Sequence, residues 1–361
     1  MISTEQCVQP HEWLGIVQRE YLDEFVARGG SAVKFVSGTE AVLSAVTQSL
    51  CKEAAQRGQL AVKLDPSTLG SDGKKADLHR IDRFFFAVTR DVDWRGLAAR
   101  QVKTYLARKG IRTDGHELDD FEGIARRNGR EPMDLYNEYQ RELATPFLTD
   151  HELALEFRAA LTALQRALIA PMPGLPTIDD VVMSWLSGQT MPGASAVLKQ
   201  IQIYDRITQR NARHMLVSFC RWLTTNETPG LLVILDLRPY QIKRLTRSAI
   251  DQMVREAIFQ GKSTAELQAM LRELTDGEPR VFYSDSAYAQ MLALLRHFID
   301  DIDLLRGLLL VVLTDPSFYY GEKPQRNYND YDALQTRIGL EVRDSRRANP
   351  AATLVHLSET Q

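Results

Sequence analysis

The sequence predicts an α/β fold in three layers, with helices packed on both faces of a parallel sheet. Two observations lead there. Residues 231–236, Leu-Leu-Val-Ile-Leu-Asp, and 308–313 are near-unbroken apolar runs, the pattern of strands buried on both faces. Near the start, an apolar run at 32–36, a turn at Gly38, a helical stretch over 40–57 and a second run at 60–64 give strand, helix, strand. That is the unit that closes a parallel pair through a right-handed crossover.

Each element follows from its spacing. Trp13, Ile16, Val17, Tyr21, Leu22, Phe25 and Val26 recur at helical intervals, so 12–28 reads as a helix stopped by Gly29-Gly30. Ser37 or Thr39 is placed to cap the helix over 40–57, which Gly58 ends. Beyond an exposed loop at 70–75, helical periodicity runs through 77–90, 94–109, 117–127, 131–144 and 150–169. Gly110, Gly129 and Pro146 act as breakers. Pro171, Pro173, Gly174 and Pro176 make a clear interruption, after which 178–187 and 196–225 resume the helical pattern. The strand at 231–236 then returns the chain to its framework, followed by helices over 246–259, 263–274 and 285–304, the strand at 308–313 and a last short strand at 353–357. The expected organisation is an α/β core from 1–76 and 226–361, interrupted by a large helical insertion at 77–225.

Composition excludes several classes. The 361 residues carry 44 basic and 47 acidic side chains, net −3, so a general polyanion binder is not expected. Cys7, Cys51 and Cys220 have neither metal-ligand spacing nor an even count for disulfides, and the seven histidines show no paired spacing. No stretch has the length of a membrane span, so a soluble cytoplasmic protein is expected.

Many short stretches, taken in order, resemble the P-loop ATP-binding proteins of BREX-type phage-defence loci, a branch of the AAA-like ATPases. They are Tyr21-Leu22-Asp23-Glu24-Phe25 with residues 29–38, Trp185-Leu186-Ser187-Gly188, residues 207–216 and the strand at 231–236. Ala287-Tyr288, Leu295-Arg296, Ile299-Asp300, residues 308–316, Tyr331-Asp332-Ala333-Leu334 with Arg337-Ile338, and Ala348-Asn349-Pro350 complete them. The resemblance implies a P-loop NTPase or AAA-like sheet. Gly38 and Thr39 would enter the phosphate loop, and Asp236 would end the Walker B strand. Thr314 would serve as a polar sensor on the fourth strand, and Arg337 as a remnant of nucleotide sensing.

The departures from that pattern predict lost chemistry. A phosphate loop needs glycines that free its backbone N–H groups, then a Lys followed by Ser or Thr. Residues 38–45 offer Gly-Thr-Glu-Ala-Val-Leu-Ser-Ala, with one glycine and a Glu where phosphate would approach. Leu237 stands where an acidic residue would prepare water, a loss that typically costs about two to four orders of magnitude in rate. Asp236 then reads as a strand-end carboxylate capping the following turn.

The expected function is therefore a non-catalytic, pseudo-ATPase scaffold or regulatory subunit of a bacterial anti-phage complex. It would need no cofactor, although residual ATP and magnesium binding stays open. Its partners would be other defence proteins, among them an active ATPase relative. One alternative is an ATPase whose unusual site a partner completes; another is a DNA-binding component. For the last, Arg206, Arg210 and Arg213 fall at helical spacing on one stripe, with Lys243, Arg244, Arg247 and Arg343, Arg346, Arg347 as further basic groups. Salt-bridged surface is the plainer reading of all three groups.

Overall fold

The computed structural model describes residues 7–67, 76–113, 118–169, 178–189, 191–226, 228–242, 254–261, 263, 265–267, 281–320, 326–344 and 349–358, without the side chains of 339–344. The glycine-lysine loop at 70–75, the proline-rich break at 171–176 and most of the expected helices at 246–259 and 263–274 lie outside them. So do Lys243, Arg244, Arg247, Arg346 and Arg347.

Five strands form one all-parallel sheet: β1 (Ala32–Ser37), β2 (Leu60–Leu64), β3 (Leu231–Asp236), β4 (Leu308–Thr314) and β5 (Leu354–His356). Their spatial order is β2-β3-β4-β1-β5. Side chains alternate across the sheet and build two cores. Val36, Leu232, Ile234, Leu309 and Val311 pack against Trp13, Leu22, Val26 and the helix Glu40–Gln56. Phe35, Val233, Leu235, Leu310 and Val312 face the other way, onto the helices Ile81–Thr89, Ala212–Thr225 and Asp285–Asp300. The sheet is thus a middle layer, and the helices between β2 and β3 share one continuous core with it. Among the described residues, no helix is long and apolar enough to cross a membrane.

Two helical expectations change. Pro146 does not break the chain. Helix Pro132–Tyr139 continues through a widened turn at Gln140–Ala144 into Thr145–Leu148, because a π-type turn accommodates the ring and the missing N–H of proline. The expected helix over 196–225 is broken: the helix Ala194–Gln200 ends, 201–211 is irregular, and Ala212–Thr225 begins anew. Gln202 adopts φ 64°, and polar side chains satisfy the local backbone instead of a helical ladder. Asn211 accepts from the Thr208 N–H at 2.7 Å and donates to Arg206 O at 3.1 Å.

Candidate strand-end site

The order of strands brings the carboxyl ends of β3, β4 and β1 side by side. Asp236 pairs in register with Leu313, and Thr314 with Ser37. Four of the residues singled out in the sequence, Gly38, Thr39, Asp236 and Thr314, therefore gather at one edge of the sheet, where ligands enter in open α/β folds.

What they form there is a closed surface. β1 ends at Ser37 and the next helix starts at Glu40, so only Gly38 and Thr39 join them. That turn is too short to wrap a phosphate. The Gly38 N–H is already given to Thr314 O at 3.3 Å. Thr39 occupies the position before the helix without capping it through its side chain, and Ser37 does not cap it either. The fully buried Thr314 turns its hydroxyl to Val36 O at 3.4 Å. Ser37 is equally buried; its Oγ donates to Asp315 O at 3.1 Å and meets His356 Nδ1 at 3.2 Å. The rings of Tyr319 and Tyr320 lie 5.5 and 5.2 Å from that imidazole. Burial pushes the His356 pKa below its ordinary value and favours the neutral ring.

Asp236 is occupied by its own chain. Arg238 Nε donates to Oδ1 at 2.9 Å and Nη2 to Oδ2 at 2.6 Å, while the Arg238 backbone N–H reaches Oδ1 at 3.0 Å. The carboxylate thus caps its following turn and is clasped by a guanidinium. The same guanidinium reaches Glu40 through Nη1, in the first turn of the helix after β1. The Arg238 guanidinium therefore stands where a metal ion would have to meet Asp236, and the ion pairs raise the Arg238 pKa further.

Beyond Asp236 the crevice is filled. The Tyr240 and Tyr283 rings stack at 3.7 Å, and Arg326, only 4 % exposed, donates to both of their carbonyls at 2.6 and 3.0 Å. Gln241 accepts from the Asp315 N–H at 3.0 Å and donates to Arg326 O at 3.4 Å. His79 Nδ1 lies 3.2 Å from the Tyr240 hydroxyl, and the Tyr283 hydroxyl donates to Ala76 O at 2.8 Å. Desolvation pushes the Tyr283 pKa up to about 12 and the His79 pKa below its ordinary value, so both groups of this layer favour their neutral forms.

The remaining sequence candidates lie elsewhere. Arg337 borders a cleft of about 450 Å³ beside Ala32, Val33 and Lys34, at the amino end of β1, opposite the strand-end residues. Its Nε bonds Asp300 at 2.5 Å, which accounts for its charge locally. Arg206, Arg210 and Arg213 do not share a helical stripe, because 201–211 is irregular. Arg213 pairs with Asp301, Arg210 is exposed, and Arg206 opens onto a separate cleft between helices.

Arg238, Gln241, Arg326 and His356 escaped sequence reasoning. Only Arg238 left a local trace: an arginine two residues after a strand-end aspartate reaches back naturally across the turn. The others meet Asp315, Tyr283 and Ser37 from distant parts of the chain. Together the fold and this edge define a parallel α/β protein whose strand-end crevice is closed by its own side chains. No family model, curated protein or solved structure matches the chain.

Proposed function

We propose that the chain is a non-catalytic scaffold or regulatory subunit of AAA-like type, acting within a bacterial anti-phage complex of the BREX kind. The observation that carries the non-catalytic part is the Asp236–Arg238 clasp beside a turn of only Gly38 and Thr39. In the resemblance, a phosphate loop, a Walker B carboxylate and a polar sensor end neighbouring strands; here Gly38, Asp236 and Thr314 do so in a sheet ordered β3-β4-β1. The arrangement supports an AAA-like ancestry, and the filled crevice supports loss of turnover. The fold's surfaces then carry the function, with an active relative of the same fold as the partner. No cofactor is required.

The test is titration of the purified protein with ATP, with and without magnesium, together with a hydrolysis assay, on the wild type and Asp236→Asn. No hydrolysis and no magnesium-dependent binding is expected in either. Magnesium-dependent binding or turnover that Asp236→Asn abolishes would sink the non-catalytic reading. The defence role has its own check: protection against phage by the complete locus should fall when this gene is deleted and return with Asp236→Asn. Full protection without the gene would remove the role.

A further inference from the structure

A second cleft, of about 400 Å³, lies in the helical region between β2 and β3, and none of the strand-end residues borders it. Its walls are aromatic. Trp185, on helix Ile178–Leu186, is held in orientation by its Nε1 bond to Asp205 O at 3.2 Å. Phe86 lies against Gly188, where an added Cβ would come within 2.8 Å of the ring, so only glycine leaves room for this wall. Tyr204 stands at the mouth, 71 % exposed, with no hydrogen bond to its hydroxyl among the described residues. Leu198 and the buried Val181 and Ile203 supply aliphatic surface.

Charge around this cleft runs against the chain's net −3. Arg83, Lys199 and Arg206 border it, and none has an ion-pair partner among the described residues. Of the acidic side chains there, Asp82 is already joined to Arg80 at 2.9 Å, which leaves Asp205. The side chains of Ser184 and Gln189 also face the cleft without hydrogen-bond partners among the described residues.

We propose that this cleft binds a nucleotide, either free or at an unpaired position of a strand. The flat base lies among Trp185, Phe86 and Tyr204, its polar edge meets Ser184 and Gln189, and the phosphate sits among Arg83, Lys199 and Arg206. Aromatic faces beside free cations are the combination by which single-strand sites gain affinity that tolerates any base. A base inside a duplex cannot enter such a cleft. An acidic peptide with an apolar anchor would use the cations and the aliphatic surface, but three aromatic side chains at the walls and mouth suit a flat base, which favours the nucleotide. The inference is independent of whether the strand-end site is closed.

The test uses the full chain in magnesium-free buffer. Labelled oligothymidylate and a duplex of equal length are titrated by fluorescence anisotropy, and AMP by calorimetry. The single strand, AMP or both should bind. Tyr204→Ala and Arg206→Ala should each weaken binding about tenfold, and Tyr204→Phe should restore it. For the strand, Arg206→Ala should also lower the slope of log affinity against log salt by about 0.7. AMP binding alone assigns the cleft to free nucleotide; strand binding with AMP silent assigns it to polynucleotide. Circular dichroism checks that both variants, at exposed positions, keep the fold. The proposal is overturned by silence of both ligands, by equal affinity for the duplex, or by binding that neither variant changes. It is also overturned if an acidic peptide binds through these residues while both nucleotide ligands stay silent.

Discussion

Arg238 grips both oxygens of Asp236, at 2.9 and 2.6 Å, across one intervening residue. The pair sits at the only strand end where the resemblance asks for a metal-binding carboxylate, and it neutralises that carboxylate from within. Arg238→Ala should destabilise the fold by about 2–3 kcal/mol, since Asp236, with 9 % of its side chain exposed, loses its partner. Replacing both, as Asp236→Leu with Arg238→Met, should recover most of that loss, because a buried ion pair contributes little net stability over apolar side chains. Chemical denaturation of the single and double variants measures both.

Lys34 precedes Gly38 and so lies on the wrong side of the turn for a phosphate lysine; its Nζ donates to Ala351 O and Ala352 O, at 2.5 and 3.2 Å, and lies 4.4 Å from the Tyr21 ring centroid. These bonds tie the segment before β5 to β1. Lys34→Met should cost about 1–3 kcal/mol and speed amide exchange at Leu354–His356 before the rest of the sheet. Uniform exchange across β1, β4 and β5 would show that the lysine does not anchor the edge strand.

Acid should loosen the same edge. The folded state holds His356 with a pKa below its ordinary value of 6.5, and burial does the same to His79. A depressed histidine pKa contributes stability that is fully present above about pH 6.5 and is lost as pH falls through the folded value. The thermal midpoint should therefore drop on going from pH 7.5 to 5.5, and His356→Gln should flatten part of that slope. An unchanged slope in His356→Gln would assign the acid sensitivity elsewhere.

Gly230 enters β3 with φ 125°, and a Cβ there would lie 2.5 Å from Val26 Cγ1 and 2.7 Å from Gly307 O. Because backbone cannot yield as a side chain does, Gly230→Ala should destabilise by about 2–3 kcal/mol or more, measured by thermal melting. Gly129→Ala, whose Cβ would meet nothing within 4 Å, carries only the backbone term of its φ of 67° and should cost less.

The strands were legible because burial on both faces demands unbroken apolar runs, and 231–236 and 308–313 are too short and too apolar for the amphipathic helices around them. The helix over 196–225 was misread because its periodicity persists on paper while Asn211 and Thr208 satisfy the backbone locally at 201–211. Pro146 was misread in the opposite sense, since a widened turn absorbs what proline removes.

The sequence by itself determined the layer architecture and the absence of a Gly-Lys-Ser/Thr phosphate loop, for both depend on residue types within a few positions of one another. Tertiary structure decided what fills the strand-end crevice. Sheet order placed Gly38, Thr314 and Asp236 together and sent Arg337 to the opposite end of β1. Arg326, 86 residues after Tyr240, joins the Tyr240 and Tyr283 carbonyls beyond Asp236. Such contacts are set by which strands become neighbours, and hydrophobic period carries no record of that order.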